Sequence, residues 1–253
     1  MEIISKIKWI LAVIAAVAVF VGVALCPTLL QMRDVGLIEY IQRQQDPNVE
    51  LPVLSSLEQC GNAPFVMPTS GWTGILYGDS IFGTRNHSGL DIFGLEGNGV
   101  TPVYAAYDGY LTRRPEWISA IIIRHEDPLA PGRQIWTYYT HMADAQGNSY
   151  IIDQIPPGTF ELPVKQGTLL GYQGDYNGQT WRSIDTHLHF SIVRGDGNGS
   201  FLNETDIANT LDPSPYLGMR LNTICGDRPP TCRPDFLCPG LTTQSNANSS
   251  TLP

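Results

Sequence analysis

The chain has 253 residues, 42% of them hydrophobic and 15% charged, which suits one sizeable globular domain with extensions and excludes a fibrous or disordered protein. Its formal charge of −9 comes without a basic stripe or an aromatic and arginine platform, which argues against a nucleic-acid partner. No Walker-type glycine loop is present either.

Residues 1–8 are a short start carrying Lys6 and Lys8, and they are followed by WILAVIAAVAVFVGVALC (Trp9 to Cys26), which has no charge; the next charged residue is Arg33. At ~1.5 Å per helical residue this run and its flanks can cross a hydrocarbon core of ~30 Å. The lysines precede it, so the expectation is a transmembrane anchor over residues 9–32, an inside amino terminus, and everything after Met32 exported. A cleaved signal peptide is the alternative, since Gly22-Val23-Ala24 is an acceptable small-residue site, and the product would then be secreted. The length of the apolar run favours the anchor. Leu25, bulky before Cys26, disfavours a lipoprotein.

Residues 33–62 begin helix-like and become proline-interrupted, as a spacer does. From 63 to 220 short apolar runs broken by glycine succeed one another: GILYG, SIFGTR, LDIF, VYAAYDGYL, AIIIRH, IWTYYTH, TLLGYQG and HLHFSIV. Regular short strands with turn signals and hardly any 3.6-residue periodicity predict an all-β barrel or sandwich. Residues 221–253 are rich in proline, serine, threonine and asparagine, so a flexible tail is expected apart from its cysteines. Cys60, Cys225, Cys232 and Cys238 are an even number in a segment expected outside the cytoplasm, which allows two disulfides in three pairings. The short Cys232 to Cys238 spacing suggests a local loop that leaves Cys60 to tie the ends of the domain together. Free thiols and a zinc knuckle are the alternatives, and the absence of C-x-x-C weakens the second.

The chemistry gathers on histidine. In THLHF, His187 and His189 project from one face of a strand while Leu188, Phe190 and Ile192 pack on the other. Alone, such a pair is more often two satisfied histidines than a metal site. NHSGLDIF adds His87 and, four residues on across Gly89, Asp91 between Leu90 and Ile92, so its carboxylate faces away from the core. His87, Asp91 and His189 form a two-imidazole, one-carboxylate set that suits zinc and leaves a fourth position for water. If IWTYYTH lies beside HLHF, His141 and His187 flank the centre without ligating, and they must do the proton work because the chain has no HExxH. His125, with no partner at ligand spacing, is structural or exposed.

These residues resemble the lysostaphin-type, LytM-like zinc metallopeptidases, which cut peptide cross-links in bacterial cell walls. The resemblance covers roughly residues 63–217 in the family's order. SIFGTR with HSGLD is similar to its first signature, VYAAYDGYL to its glycine-marked strand pair, YYTHM to its middle histidine, KQGTLLGYQG to its glycine turn, and THLHF to its last signature. It implies one zinc per chain on His87, Asp91 and His189, a catalytic pair in His141 and His187, and an antiparallel barrel-sandwich hybrid of the duplicated hybrid motif type with a groove over the metal. It also implies peptidoglycan peptides as substrate. The departures are two extended segments, 143–163 and 174–185, expected to wall the groove, and Thr186 where many members have proline. A non-enzymatic relative that activates another wall hydrolase is the alternative, although such relatives have usually lost ligands. A cupin-like site would expect a carboxylate soon after the pair, where Ser191, Ile192, Val193 and Arg194 stand.

Overall fold

A computed structural model of the chain describes residues 41, 42, 45, 46, 53–81, 85–180, 182–223 and 232. The apolar run Trp9 to Cys26, Cys225, Cys238 and the tail apart from 221–223 and Cys232 lie outside the described residues. Among the described residues no helix is long and apolar enough to cross a membrane.

The fold is mostly β and antiparallel. Its strands are β1 (Val53–Leu54), β2 (Gly71–Ile75), β3 (Ser80–Ile81), β4 (Arg85–Asn86), β5 (Leu90–Phe93), β6 (Pro102–Tyr104), β7 (Gly109–Thr112), β8 (Ile121–Glu126), β9 (Gln134–Thr140), β10 (Leu162–Val164), β11 (Leu169–Tyr172), β12 (Gly174–Tyr176), β13 (Ser183–Arg194) and β14 (Thr210–Leu211). One ten-stranded sheet runs in the order β1-β2-β5-β13-β9-β8-β7-β10, with β12 and β14 also paired to β13. Two small two-stranded sheets, β11 with β6 and β3 with β4, stand beside it.

Among the described residues the expected barrel is not closed. The path is open at both ends, and the reason is visible in the edges: β1 has two residues, and β10 carries Pro163, which cannot donate to a further strand. β13, twelve residues long, is the spine, because its alternation LHFSIV is apolar on one side without interruption. Leu188, Phe190 and Ile192 are fully buried on that side with Leu90 and Ile92 of β5 and Ile121, Ile123, Ile135 and Tyr139 of β8 and β9. Tyr139 meets Phe190 edge to face, ring centroids 5.3 Å apart. The β6 and β11 pair (Val103, Leu170), Phe65, Met67 and the helical turn Ser214–Leu217 close this core.

Cys60 is bonded to Cys232, 172 residues away in sequence. Of the three pairings left open this excludes the local Cys232 to Cys238 loop, and it ties the two ends of the domain together as expected of Cys60, which is buried against the helical turn beside the Met219 to Cys232 bridge. Spacing alone favours short loops, but the folded core decides which thiols meet.

Candidate metal centre

The register of the sheet assembles the centre. β13 pairs with β5 so that His189 lies directly opposite Asp91, and with β9 so that His189 lies directly opposite Thr140. Opposed residues point to the same face, so Asp91 and His189 meet on the side away from the core. His87 reaches them from the turn before β5, and Gly89 makes this possible: a Cβ there would stand 2.5 Å from the Phe190 carbonyl oxygen and 2.8 Å from His189 Cε1. The HSGLD glycine is therefore a close-approach residue.

Three donor atoms converge. Asp91 Oδ1 lies 2.8 Å from His189 Nδ1 and 3.1 Å from His87 Nε2, and the two nitrogens are 3.1 Å apart. All three residues are buried. The other nitrogen of each imidazole is already engaged, which fixes which atom faces the centre. His87 Nδ1–H donates to the Leu76 carbonyl at 3.1 Å, and His189 Nε2–H donates to Glu204 at 2.7 Å. The donor triangle fits a divalent ion, since a tetrahedron with bonds of ~2.0–2.1 Å has edges of ~3.3 Å and the observed ones need only slight expansion. His87, Asp91 and His189 could therefore hold a metal.

Electrostatics point the same way. Burial opposes charge on Asp91, yet His87, His187 and His189 around it hold its carboxyl well below the usual range. Burial likewise disfavours a charged His189, but carboxylates on both its nitrogens, Asp91 and Glu204, push it up to about 10. Glu204, opposed by burial but held by His189 and Ser88, is pushed down to about 2. The proton that Nδ1 carries between His87 and Asp91 stands where a cation would, so a metal entering here displaces it.

His141 and His187 stand beside this triangle, ring centroids 4.6 Å apart. His187 Nδ1–H donates to the Asp185 carbonyl at 2.6 Å, its ring stacks on Phe93 at 4.7 Å, and its Nε2 lies 3.7 Å from Asp91 Oδ1. β9 ends at Thr140, and His141 takes a left-handed backbone, φ 74°, unusual for a residue with a side chain. That turn lets Nδ1–H donate to the Tyr176 carbonyl at 2.6 Å. Burial holds His187 below its ordinary value and, with His187 and His189 nearby, takes His141 to about 3, so both rings are neutral with Nε2 as acceptor.

His125 is away from the centre and structural. Nδ1–H donates to the Asp108 carbonyl and Nε2 accepts from the Thr137 hydroxyl, each at 2.7 Å, and burial pushes it down to about 4.

The groove over the centre has a volume of about 540 Å³ and is walled by Glu116 to Ala120, Tyr176 to Gly178, Tyr138 and Glu204. The expectation that both extended segments wall it holds only for 174–185. Segment 143–163 does not line it, because Ile151 and Ile155 are buried in the core and draw it away. Two contributors were not foreseen. One is the 116–120 wall. The other is Glu204, which also accepts from Ser88 Oγ at 2.9 Å. A ligating histidine usually gives its second N–H to a carboxylate. That signal calls for an acid, but nothing in the sequence singles out one in the polar loop FLNETD.

No protein-family model and no curated protein matches the chain. Solved structures do. The crystal structure of a protein assigned as glycyl-glycine endopeptidase LytM from Ruminococcus gnavus ATCC 29149 matches at 26% identity and TM-score 0.35, over 52% of this chain and 45% of that one. The solution structure of lysostaphin matches at 22% identity and TM-score 0.36, over 65% of this chain and 55% of that one. The catalytic domain of a point mutant of the prophage-encoded M23 protein EnpA from Enterococcus faecalis matches at 23% identity and TM-score 0.30, over 58% of this chain and 95% of that one. The structural neighbours of the chain thus include LytM, lysostaphin and an M23 protein. The chain spans under half the length of the first, and at such TM-scores it is the site's own residues that carry the functional reading.

Proposed function

We propose that this chain is an exported, membrane-anchored zinc metalloendopeptidase that hydrolyses peptide cross-links of bacterial peptidoglycan. The observation that carries the reading is the convergence of His87 Nε2, Asp91 Oδ1 and His189 Nδ1 beside two neutral histidines that are not needed as ligands. When bound, zinc would supply a Lewis acid that polarises the scissile carbonyl and lowers the pKa of water. The protein's own part is proton handling. His187 and His141 each keep one tautomer through a carbonyl acceptor on Nδ1, so Nε2 can take the proton of the attacking water and return it to the leaving amine. Asp91, 3.7 Å from His187 Nε2, steadies the imidazolium formed in that step. Trp117 and Tyr138 line the groove and offer aromatic surface to the substrate chain.

The intact ligand triangle weighs against the alternative, a non-enzymatic regulator that activates another wall hydrolase. The test is to digest purified walls of several peptide types with the zinc-loaded protein and to identify new amino and carboxyl termini by mass spectrometry. New termini at one cross-link type are expected. No new terminus with any wall, from folded protein that holds zinc, would overturn the peptidase reading in favour of the regulator.

A further inference from the structure

The face that carries the metal triangle continues across the sheet. Tyr138 stands opposite Ser191, Trp136 opposite Val193, Ile122 opposite Tyr138, and Arg124 opposite both Trp136 and Tyr110. Opposed residues share a face, so an aromatic and cationic strip runs from His189 through β9 and β8 to β7. Here it meets a second cavity of about 480 Å³. Trp117 joins the two: it lines the metal groove, stands edge-on to Tyr138 at 5.8 Å, and lies 6.1 Å from Phe201 of the second cavity.

The charge of this cavity is opposite to that of the chain. Three arginines line it against one carboxylate, in a protein of net charge −9. Arg124 is paired with that carboxylate, Glu161, at 2.5 Å. Arg113 is buried and gives its donors to the carbonyls of Ile155, Trp117 and Ile118 and to Ser149 Oγ, so its charge meets no acid among the described residues. Arg114 is exposed and has no carboxylate partner among the described residues. Its guanidinium lies 4.8 Å from the Phe201 centroid and 5.3 Å from that of Trp117. Rings on which the guanidinium packs hold it in place while leaving its edge donors for a planar oxyanion.

We propose that this second cavity is a subsite for a carboxylate of the substrate, gripped by Arg114, which packs on Trp117 and Phe201, so that the enzyme reads an acidic group displaced from the scissile bond. The inference rests on the peptidase reading, which makes the occupant a peptide, and the oxyanion that a peptide carries is a carboxylate. Pre-placement of the guanidinium lowers the ordering cost of binding.

The test is calorimetric binding to the full zinc-loaded chain, with acetylated penta-alanine as free acid and as carboxamide. The acid should bind about tenfold tighter, as one charge-assisted hydrogen-bonded pair supplies. Arg114→Gln should bring the acid to the amide's affinity, and Arg114→Lys should restore part of the preference. Inorganic phosphate should bind more weakly than the acid. Equal binding of acid and amide to the parent, no binding of either, a preference that survives Arg114→Gln, or phosphate binding tighter than the acid overturns the subsite. The peptidase reading fails separately: acid preference without cleavage of any wall leaves the subsite standing, and cleavage without acid preference does the reverse.

Discussion

Removing Glu204 should weaken the metal centre without touching a ligand. Its Oε1 accepts from His189 Nε2 at 2.7 Å and from Ser88 Oγ at 2.9 Å, with the Glu204 side chain 17% exposed. A hydrogen bond to a charged group contributes ~1.5–3 kcal/mol, which corresponds to ~10–100-fold in an equilibrium constant. Glu204→Ala removes the acceptor and the charge and frees the ring to rotate about its Nδ1 direction, so the dissociation constant for zinc should rise by about 10²-fold. Glu204→Gln keeps an acceptor without the charge and should lose about tenfold. The assay is competition between the apo protein and a chromophoric chelator at fixed pH and salt, with circular dichroism to verify that both variants fold. Parent-like affinity in Glu204→Ala would refute the reasoning, because it would mean that the ring is held by packing alone.

Other outcomes follow from the same geometry. Gly89→Ala should cost about 1–3 kcal/mol by overpacking and lower zinc affinity, since its Cβ would meet the Phe190 carbonyl and the His189 ring. Gly97→Ala, with nothing within 4 Å of its Cβ, should melt as the parent does, and equal melting of the two variants would show that HSGLD tolerates a side chain. His125 is about 4 in the fold against ~6.5 unfolded, so between those values the unfolded chain binds more protons and stability is lost as pH falls, by up to about 3 kcal/mol. In urea titrations from pH 7 to 4 the fall should be shallower in His125→Asn, and an unchanged slope would contradict the assignment. The Cys60–Cys232 bond closes a loop spanning 172 residues, for which the chain-entropy model gives about 5 kcal/mol as an upper figure. Reductant should therefore lower the melting temperature, and an unchanged one would show that the bond adds nothing.

Much of the site was legible because strands have period two. The alternation in THLHF and in LDIF placed His187, His189 and Asp91 on one face and their apolar neighbours in the core, and the register of β5 and β9 on β13 confirms that placement. The neighbouring of YYTH and HLHF was likewise readable as a conditional and is observed. What stayed hidden depends on loops returning from a distance. Glu204 reaches His189 because the chain after β13 doubles back, with Gly195 bridged to Phe201. His141 faces the groove through a left-handed backbone that no side-chain pattern encodes. Closure failed as an expectation because alternation describes strands, whereas sheet edges are decided by features such as the two-residue β1 and Pro163.

The central claim is that three residues hold a metal and two others move protons, and zinc content per chain in parent, His189→Ala and His187→Ala, measured by elemental mass spectrometry on folded protein, tests it most directly. Parent and His187→Ala should retain zinc, His187→Ala with peptidase activity lower by about 10²–10⁴-fold, while His189→Ala loses metal and activity together. A parent without zinc, or a His187→Ala variant as empty as His189→Ala, would contradict the account.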